Sequence, residues 1–152
     1  MNNFYQHLLN QIATLACSEK SQFEILQESS ELLKGTVSHY DWVGFYILDE
    51  QGLNLILGPY SGHPTEHTII ALGKGVCGQV AQNNTLKVVQ DVRKEENYIA
   101  CSLDVKSEIV VPITRNGKFV AEIDIDSHSP SPFTSDDQEF LIAVCYRLSE
   151  LF

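Results

Sequence analysis

The sequence has few basic residues and no long apolar run. Its 152 residues include ten Lys and Arg against twenty Asp and Glu, which gives a formal net charge of −10. No five-residue window holds more than two of the basic residues, and an acidic surface repels phosphate, so no nucleic-acid partner is expected. No stretch approaches the roughly 18 apolar residues of a membrane span, and residues 1–20 lack the basic segment that opens a signal peptide. We therefore expect a cytoplasmic chain with no membrane partner.

The four cysteines include no Cys-x-x-Cys pair, so no structural zinc site is expected. In a cytoplasmic chain of this size, free, metal-bound or redox-active thiols are expected rather than a disulfide framework. Cys17 and Cys145 lie in helical patterns, where we expect buried, inert side chains. Cys77 and Cys101 lie among loop-like residues, and Cys77 falls where a helix begins, a position that lowers a thiol pKa. The alternative is that both are buried structural thiols.

Apolar periodicity and turn signals predict helices at both ends and two hairpins between them. The predicted elements are a helix over 3–16, a helix from Ser18 or Ser21 to Gly35, a hairpin of 42–48 and 53–57, a loop over 58–67, short segments at 68–72 and 86–89 around a short helix, a hairpin of 107–115 and 118–127, and a helix from Thr134 to Phe152. The dipeptide Asn116-Gly117 is the strongest of the hairpin signals. This order predicts a single α+β domain over residues 1–152, with a central antiparallel β-sheet flanked by N- and C-terminal helices.

Residues 73–78 (GKGVCG) match the G-x-G-x-x-G fingerprint of dinucleotide sites, and Asp91 follows at a suitable distance. The helix that follows has room for about eight residues before Asn83, which is short for a crossover between parallel strands. The next clear pairing is an antiparallel hairpin. A dinucleotide site is therefore disfavoured, and the glycines either bring backbone amides close to a small anion or form a tight turn.

Residues 63–67 (HPTEH) match H-x-x-E-H, an inverted zinc-protease motif. That chemistry requires both histidines one turn apart on a helix and a further carboxylate ligand downstream. Gly62 and Pro64 at the start of the motif, and β-branched residues directly after it, are unsuited to such a helix. A solvated polar loop is the preferred interpretation.

Acidic side chains alternate along the second strand of the last hairpin. Glu122, Asp124 and Asp126 project from one face of that strand, and the apolar residues between them face the other way. Three like charges on one face repel each other, so at least one pKa is expected to rise. Such a carboxyl can stay protonated near neutral pH and donate a proton. The alternative is a solvated acidic face.

Whether Glu108 joins this face depends on the register of the hairpin. A two-residue turn at 116–117 places Glu108 opposite Ile125, on the wrong face. Pro112 interrupts the strand, however, and a bulge there would shift the register by one residue and bring Glu108 round. The sequence leaves both arrangements open.

Six motifs occur in an order and spacing that resemble a known family. They are Trp42–Tyr46 (WVGFY), Leu57–Gly62 (LGPYSG), Gly73–Gly78 (GKGVCG), Ile99–Cys101 (IAC), Ser107–Pro112 (SEIVVP) and Asp124–Ser127 (DIDS). Together they resemble the free methionine-(R)-sulfoxide reductases, which are single GAF domains. The resemblance covers the chain from about residue 40 to its end, and the N-terminal helices fit it too. It implies a GAF-like fold, a closed pocket for a small ligand, and a homodimer; we expect no cofactor and no metal.

The resemblance also implies roles for particular residues. The implied site residues are the catalytic Cys101, Cys77, Glu108, Asp124 and Asp126 and the substrate-binding aromatic residues Trp42 and Tyr46. In the implied reaction a thiolate at Cys101 attacks the sulfoxide sulfur of free methionine-(R)-sulfoxide, while a carboxyl protonates the departing oxygen. Methionine leaves, the resulting sulfenic acid condenses with a second thiol, and a thioredoxin-type dithiol reduces the disulfide. The resemblance therefore implies an oxidoreductase.

Several positions depart from the family pattern. His67 occupies the position of the usual recycling cysteine, Ser102 that of an Asp after the nucleophile, and the pair Ala121-Glu122 that of a Gly-Val pair. Either Cys77 resolves the sulfenic acid, or an external thiol does, or the domain has lost catalysis and is a GAF-type small-molecule binding or sensing domain. Glu122 would also change the charge of the pocket, and hence its ligand.

Overall fold

The computed structural model describes residues 1–99 and 103–152. Within these ranges the strands are β1 (Trp42–Leu48), β2 (Asn54–Ser61), β3 (Ile69–Ala71), β4 (Lys87–Val89), β5 (Ser107–Arg115) and β6 (Lys118–Ser127). The helices are α1 (Asn3–Ala16), α2 (Gln22–Thr36), α3 (Gly75–Asn83) and α4 (Ser135–Leu148), with short 3-10 turns at Val92–Lys94 and Ser149–Leu151. The strands form one antiparallel sheet in the order β3-β2-β1-β6-β5-β4. No helix in the described part of the chain is long and apolar enough to cross a bilayer.

The predicted α+β class, with an antiparallel sheet and helices at both ends, is confirmed, and the differences lie at the ends of elements. The second helix begins after Ser21 rather than Ser18, because Ser21 and Glu24 form a reciprocal capping box. The same helix runs one residue past Gly35. Strand β2 continues to Ser61, although residues 58–67 were expected to form a loop, because Ser61 pairs with Val43 of β1 beyond a register shift.

One face of the sheet packs against α1, α2 and α4. Ala121, Ile123 and Ile125 of β6 are fully buried on this side, together with Ile109 and Val111 of β5. Burying one such large aliphatic side chain contributes about 1.5–3 kcal/mol. This apolar layer therefore provides much of the free energy that holds the sheet and the long helices together.

The opposite face of the sheet is covered by α3. Strands β3 and β4 lie at opposite edges, so the chain between them has to cross a face of the sheet, and α3 makes that crossing. Gly73 and Gly75 have φ values of 86° and 63°, and a Cβ on Gly78 would lie 2.6 Å from the carbonyl oxygen of Ala71. The tight-turn interpretation of the glycine motif is thus confirmed. Because β4 pairs antiparallel with β5, the segment is not the βαβ unit of a dinucleotide site.

Candidate functional site

The register of β5 against β6 brings four acidic side chains to the face beneath α3. We call Glu108, Glu122, Asp124 and Asp126 the carboxylate face. Glu108 lies opposite Asp126, because the pairing shifts by one residue near the turn and leaves Val120 of β6 as the extra residue. The expected shift therefore exists, but it is not at Pro112, which pairs with Glu122 in the regular part of the ladder.

The carboxylate face is buried. The exposed fraction is 4% for Glu108, 0% for Glu122 and 1% for both Asp124 and Asp126, so the alternative of a solvated acidic face is wrong. Neither carboxyl oxygen of Glu122 or Asp124 has a hydrogen-bond partner of normal geometry within the described residues. Burying one polar group without a hydrogen-bond partner costs about 1–3 kcal/mol. This cost indicates that the two carboxyls have a role other than stabilising the fold.

Burial raises the pKa of three of these carboxyls. Burial brings the pKa of Asp124 to about 6, while contacts with Glu108 and Cys77 act in the opposite direction. The pKa of Glu108 is raised well above its usual range by burial and then by the charges of Asp124 and Asp126. Burial also raises the pKa of Glu122, although a contact with Cys77 lowers it. The predicted rise is confirmed, and these groups can hold protons near neutral pH.

Cys77 lies in the first turn of α3 and points at the carboxylate face. Its side chain is 5% exposed, and its Sγ donates to Oε1 of Glu108 at 3.9 Å. The expectation that the helix start lowers its pKa is wrong. Burial raises the pKa of the thiol well above its usual value, and the charges of Asp124, Glu122 and Glu108 raise it further. Tertiary neighbours thus outweigh the helix dipole at this position.

The two predicted aromatic residues both lie on β1, on the side of the carboxylate face. Trp42 pairs with Asp126, and Tyr46 with Glu122. The indole of Trp42 stacks on Tyr60 at a centroid distance of 5.4 Å and donates from Nε1 to the carbonyl of His63 at 2.9 Å. It lies across Gly44, where a Cβ would come within 2.2 Å of the ring. The glycine of the WVGFY motif is therefore required by the position of its tryptophan.

The predicted residues surround two small cavities rather than one. Tyr46, Cys77, Glu108 and Asp124 line a cavity of about 10 Å³, together with His67, Ile70, Lys74, Gly75, Val76 and Ile99. Trp42 and Asp126 line a second cavity of about 20 Å³, together with Asp41, His63, Thr65, Val105 and His128. The pairing of Glu108 with Asp126 joins the two along the sheet. Each cavity has the room of about one water molecule.

The loop of the HPTEH motif forms part of the wall of the first cavity. Residues 63–67 contain no helix, so the predicted polar loop is confirmed. The hydroxyl of Tyr46 donates to the carbonyl of His67 at 2.8 Å, which fixes both the loop and the ring. Sequence reasoning did not assign His67 to the wall, nor the apolar Ile70 and Ile99, because their approach depends on how the loops fold over the sheet.

The remaining cysteines differ from one another. Cys145 is buried in α4, its Sγ donates to the carbonyl of Val111 at 3.7 Å, and burial raises its pKa. Cys17 is exposed at the end of α1, so the expectation of a buried side chain is wrong for it. Cys101, the predicted nucleophile, and Ser102 lie outside the described residues. The role of Cys77 as the thiol that resolves a sulfenic acid on Cys101 therefore stays a prediction.

One group of side chains in the described residues has donor atoms close enough to hold a metal ion. These are Cys77, Glu108 and Asp124, whose ligand atoms all lie within 4.8 Å of one another. This site can transfer protons, bind an ammonium group or coordinate a cation, because it combines a thiol and two carboxyls with an acidic strand and two aromatic rings. All three chemistries are suited to a small ligand.

Comparisons with known proteins identify the fold. Residues 23–150 match the GAF domain family. The chain belongs to that family. It is 36% identical over 140 residues to GAF domain-containing protein A of Dictyostelium discoideum, covering 92% of this chain and 87% of that protein. It is 31% identical over 148 residues to the free methionine-R-sulfoxide reductase of Escherichia coli, covering 97% of this chain and 88% of that protein.

A solved structure extends this similarity to the backbone. The X-ray structure of the Neisseria meningitidis free methionine-R-sulfoxide reductase, in complex with its substrate, matches this GAF domain with a TM-score of 0.91 at 33% identity. The match covers 97% of this chain and 87% of that chain. Within the GAF family, the chain therefore belongs with the free methionine-R-sulfoxide reductases, as its six motifs predict.

Proposed function

We propose that this GAF domain reduces free methionine-(R)-sulfoxide to methionine. The observation that carries the proposal is the carboxylate face: buried acids, whose pKa values burial raises, beside a thiol and two aromatic rings, in a chain related to such reductases. Sulfoxide reduction needs a proton for the departing oxygen, and a carboxyl with a raised pKa can supply it at neutral pH.

Cys101 acts as the nucleophile in this proposal. Its thiolate attacks the sulfoxide sulfur, the S–O bond breaks, and the oxygen takes up one proton and transfers to the cysteine sulfur as a hydroxyl group. The products are methionine and a sulfenic acid on Cys101, so the substrate sulfur is reduced and the cysteine sulfur is oxidised by the same two electrons. Asp124 is the favoured proton donor, because its pKa of about 6 lies nearest the working pH.

The other residues bind the amino acid. The substrate carries an ammonium group, and Asp126 and Glu108, opposite each other on adjacent strands, can accept hydrogen bonds from it. The ring of Trp42 offers an apolar face to the substrate's methyl group. A free amino acid is much larger than a cavity of about 10 Å³. Binding therefore requires the wall to move, and that wall includes Ile99, which lies two residues before Cys101 in the sequence.

The sulfenic acid is then reduced by a thiol. Cys77 is one candidate, and its condensation with Cys101 would release water and form a disulfide that a thioredoxin-type dithiol reduces. Its raised pKa slows such attack, because the thiolate is the reactive form. An external thiol is the alternative, since His67 stands where relatives carry the recycling cysteine.

The proposal also covers the domain organisation, the cellular compartment and the oligomeric state of the protein. We propose a single GAF domain over residues 1–152 that acts in the cytoplasm as a homodimer. Phe4, Ile142 and Tyr146 expose 48%, 53% and 73% of their surface on α1 and α4, which suits an interface formed by the terminal helices. Sedimentation equilibrium on the full chain tests this: a monomer at micromolar concentration would contradict it.

The decisive experiment is turnover of the separate R and S epimers of free methionine sulfoxide, with dithiothreitol or thioredoxin as reductant. We expect turnover of the R epimer alone, its loss in Cys101→Ser, and full activity in the matched control Cys17→Ser, whose thiol is exposed at the end of α1. No R-selective turnover, or full activity of Cys101→Ser, would remove the proposal. Trapping the sulfenic acid in Cys77→Ser after one turnover, but not in the wild type, would identify Cys77 as the resolving thiol.

A second candidate is a GAF domain that binds a small ligand without turning it over. Two features favour it: His67 in place of the recycling cysteine, and the buried Glu122, which adds a further acidic group beside Cys77. Calorimetric binding of methionine sulfoxide without reduction of either epimer would support this alternative. A gain of thioredoxin-dependent rate in His67→Cys would count against it.

A further inference from the structure

Three donor atoms meet in the cavity beneath α3. The Sγ of Cys77 and the carboxyl oxygens of Glu108 and Asp124 all lie within 4.8 Å of one another, and Sγ lies 3.9 Å from Oε1 of Glu108. Around a tetrahedral Zn²⁺, with bonds of about 2.3 Å to sulfur and about 2.1 Å to oxygen, ligand atoms lie roughly 3.4–3.6 Å apart. Small side-chain movements would therefore complete three of four ligand positions.

Two carboxyls at this position lack a hydrogen-bond donor of normal geometry among the described residues. Asp124 is 1% exposed and Glu122 is 0% exposed, and their oxygens accept no hydrogen bond of normal geometry within the described residues. Lys74 lines the same cavity, but it is exposed and forms no ion pair with any of these described carboxylates. Buried carboxylates without donors are the groups that a cation satisfies.

We propose that this cavity is also a binding site for a thiophilic divalent cation such as Zn²⁺, held by Cys77, Glu108 and Asp124. The donor set decides the class of ion, because a thiolate favours Zn²⁺ over the oxygen-seeking Mg²⁺ and Ca²⁺. A cavity of about 10 Å³ can hold an ion without the movement of the wall that a free amino acid requires. The fourth position falls to water or to Glu122, which also adds negative charge beside the ion.

Binding changes protonation but transfers no electrons. The S–H bond of Cys77 breaks, a Zn–S bond forms, and the proton passes to solvent together with any proton held by Glu108 or Asp124. The bound ion thereby occupies the thiol and the proton donor that the proposed reaction uses. The site therefore excludes methionine sulfoxide, and the cation acts as a competitive inhibitor.

Calorimetric titration of the reduced full chain with Zn²⁺ tests the site without any turnover. We expect binding of one ion, with affinity reduced at least about tenfold in Cys77→Ser and in Asp124→Asn, since even outer-shell partners of a metal alter affinity roughly 10- to 100-fold. Cys17→Ser leaves the three ligands in place and should bind as the wild type does. Affinity should rise with pH, because protons are released.

A spectroscopic readout covers the case in which Cys77→Ser does not fold. Co²⁺ added to the wild-type chain should give thiolate-to-metal charge-transfer absorption, which Zn²⁺ displaces and which Glu108→Gln weakens. Absence of metal binding by the wild type, or binding unchanged in Cys77→Ser or Asp124→Asn, overturns the proposal. These results are independent of the reductase activity, so failure of one proposal does not imply failure of the other.

Discussion

Asp137 and Asp124 are buried to the same degree, at 1% exposure, but their surroundings differ completely. The carboxylate of Asp137 accepts hydrogen bonds from the hydroxyls of Tyr5 and Tyr40 and contacts Nε2 of His39 at 2.8 Å. It also caps α4 through Thr134. Although burial acts to raise its pKa, the hydrogen bonds from His39, Tyr5 and Thr134 lower the pKa well below the usual range. Among the described residues Asp124 has no hydrogen-bond donor of normal geometry, and burial raises its pKa to about 6.

Asp137 is a structural carboxylate, whereas Asp124 is a chemically reactive one. Asp137 lies where α1 and α4 meet, and it is satisfied by groups that the helices bring to it. Asp124 lies on a strand whose other face carries Ile123 and Ile125 in the apolar core. Strand β6 thus stabilises the fold through one set of alternate residues and carries reactive groups on the other. Buried acids without partners persist at functional sites because a ligand satisfies them.

Asp124→Asn should produce the largest of the expected effects, and it should lower activity without lowering stability. Replacing the proton donor by an amide should lower kcat/KM for methionine-(R)-sulfoxide by roughly 10²- to 10⁴-fold, the usual contribution of a general acid. The free energy of unfolding at pH 7 should stay constant or increase, because an amide is not ionised. Steady-state kinetics and urea denaturation measure the two quantities. A variant with normal kcat/KM would remove Asp124 as the donor.

Asp137→Asn should lower stability, whereas Asp124→Asn should lower activity. Removing a buried charge that two tyrosines and a histidine surround should lower the free energy of unfolding by about 3–5 kcal/mol. A carboxyl with a lowered pKa stabilises the native state above its unfolded pKa of about 3.9, and loses that contribution as pH falls through the folded value. The difference from wild type should therefore persist at pH 5 and shrink in stronger acid. Equal stability of both chains at pH 7 would contradict this account of Asp137.

Glu122→Gln should increase stability. Folding raises the pKa of Glu122, so the native state of the wild type loses stability as pH rises above the unfolded value of about 4.3. The variant should be more stable by roughly 1–3 kcal/mol at pH 7 and by little at pH 4. Denaturation curves at both pH values measure this, and a destabilised variant at pH 7 would show that the charge of Glu122 is satisfied.

Tyr5→Phe should have the smallest effect. The change removes one hydroxyl donor from Asp137 and keeps the ring that stacks on Phe140 at 4.5 Å. We expect a loss of about 1–2 kcal/mol in the free energy of unfolding, as for one hydrogen bond to a charged group. Tyr146→Phe is the matched control, compared at a protein concentration at which the chain is monomeric, because Tyr146 lies in the proposed dimer interface but is 73% exposed in the single chain. There it should leave stability unchanged. An equal effect in both variants would argue against the Asp137 cluster.

Local sequence signals, such as capping residues and turn dipeptides, were sufficient to predict most of the fold. The capping residue Thr134 sets the start of α4 and the dipeptide at 116–117 sets the turn of the last hairpin, because both act within a few residues. The predicted end of the helix at Phe152 is wrong, since α4 ends at Leu148 and a 3-10 turn follows. The continuation of β2 to Ser61 could not be predicted, because Gly58 and Pro59 resemble a loop when considered alone. They are accommodated at a register shift that only pairing with β1 reveals.

The alternation of acidic residues along one strand was predictable, but their burial and their neighbours were not. The alternation of Glu122, Asp124 and Asp126 placed them on one face, yet their burial depends on α3 crossing the sheet. The position of Glu108 depends on Val120, one extra residue that no turn signal marks. The pKa of Cys77 was predicted in the wrong direction, because the helix start is a local effect and the opposing carboxyls come from β5 and β6.

The central claim is that acids of the carboxylate face hold protons at neutral pH. Infrared spectroscopy of the native chain in heavy water at pH 7 measures this directly, through the carbonyl stretch of un-ionised carboxyl groups. We predict a band that is present in the folded wild type, weaker in Glu122→Gln and Glu108→Gln, and absent after unfolding, since free Asp and Glu ionise near pH 4. A folded wild type without this band at pH 7 would show that all of these carboxyls are ionised, and would contradict the account.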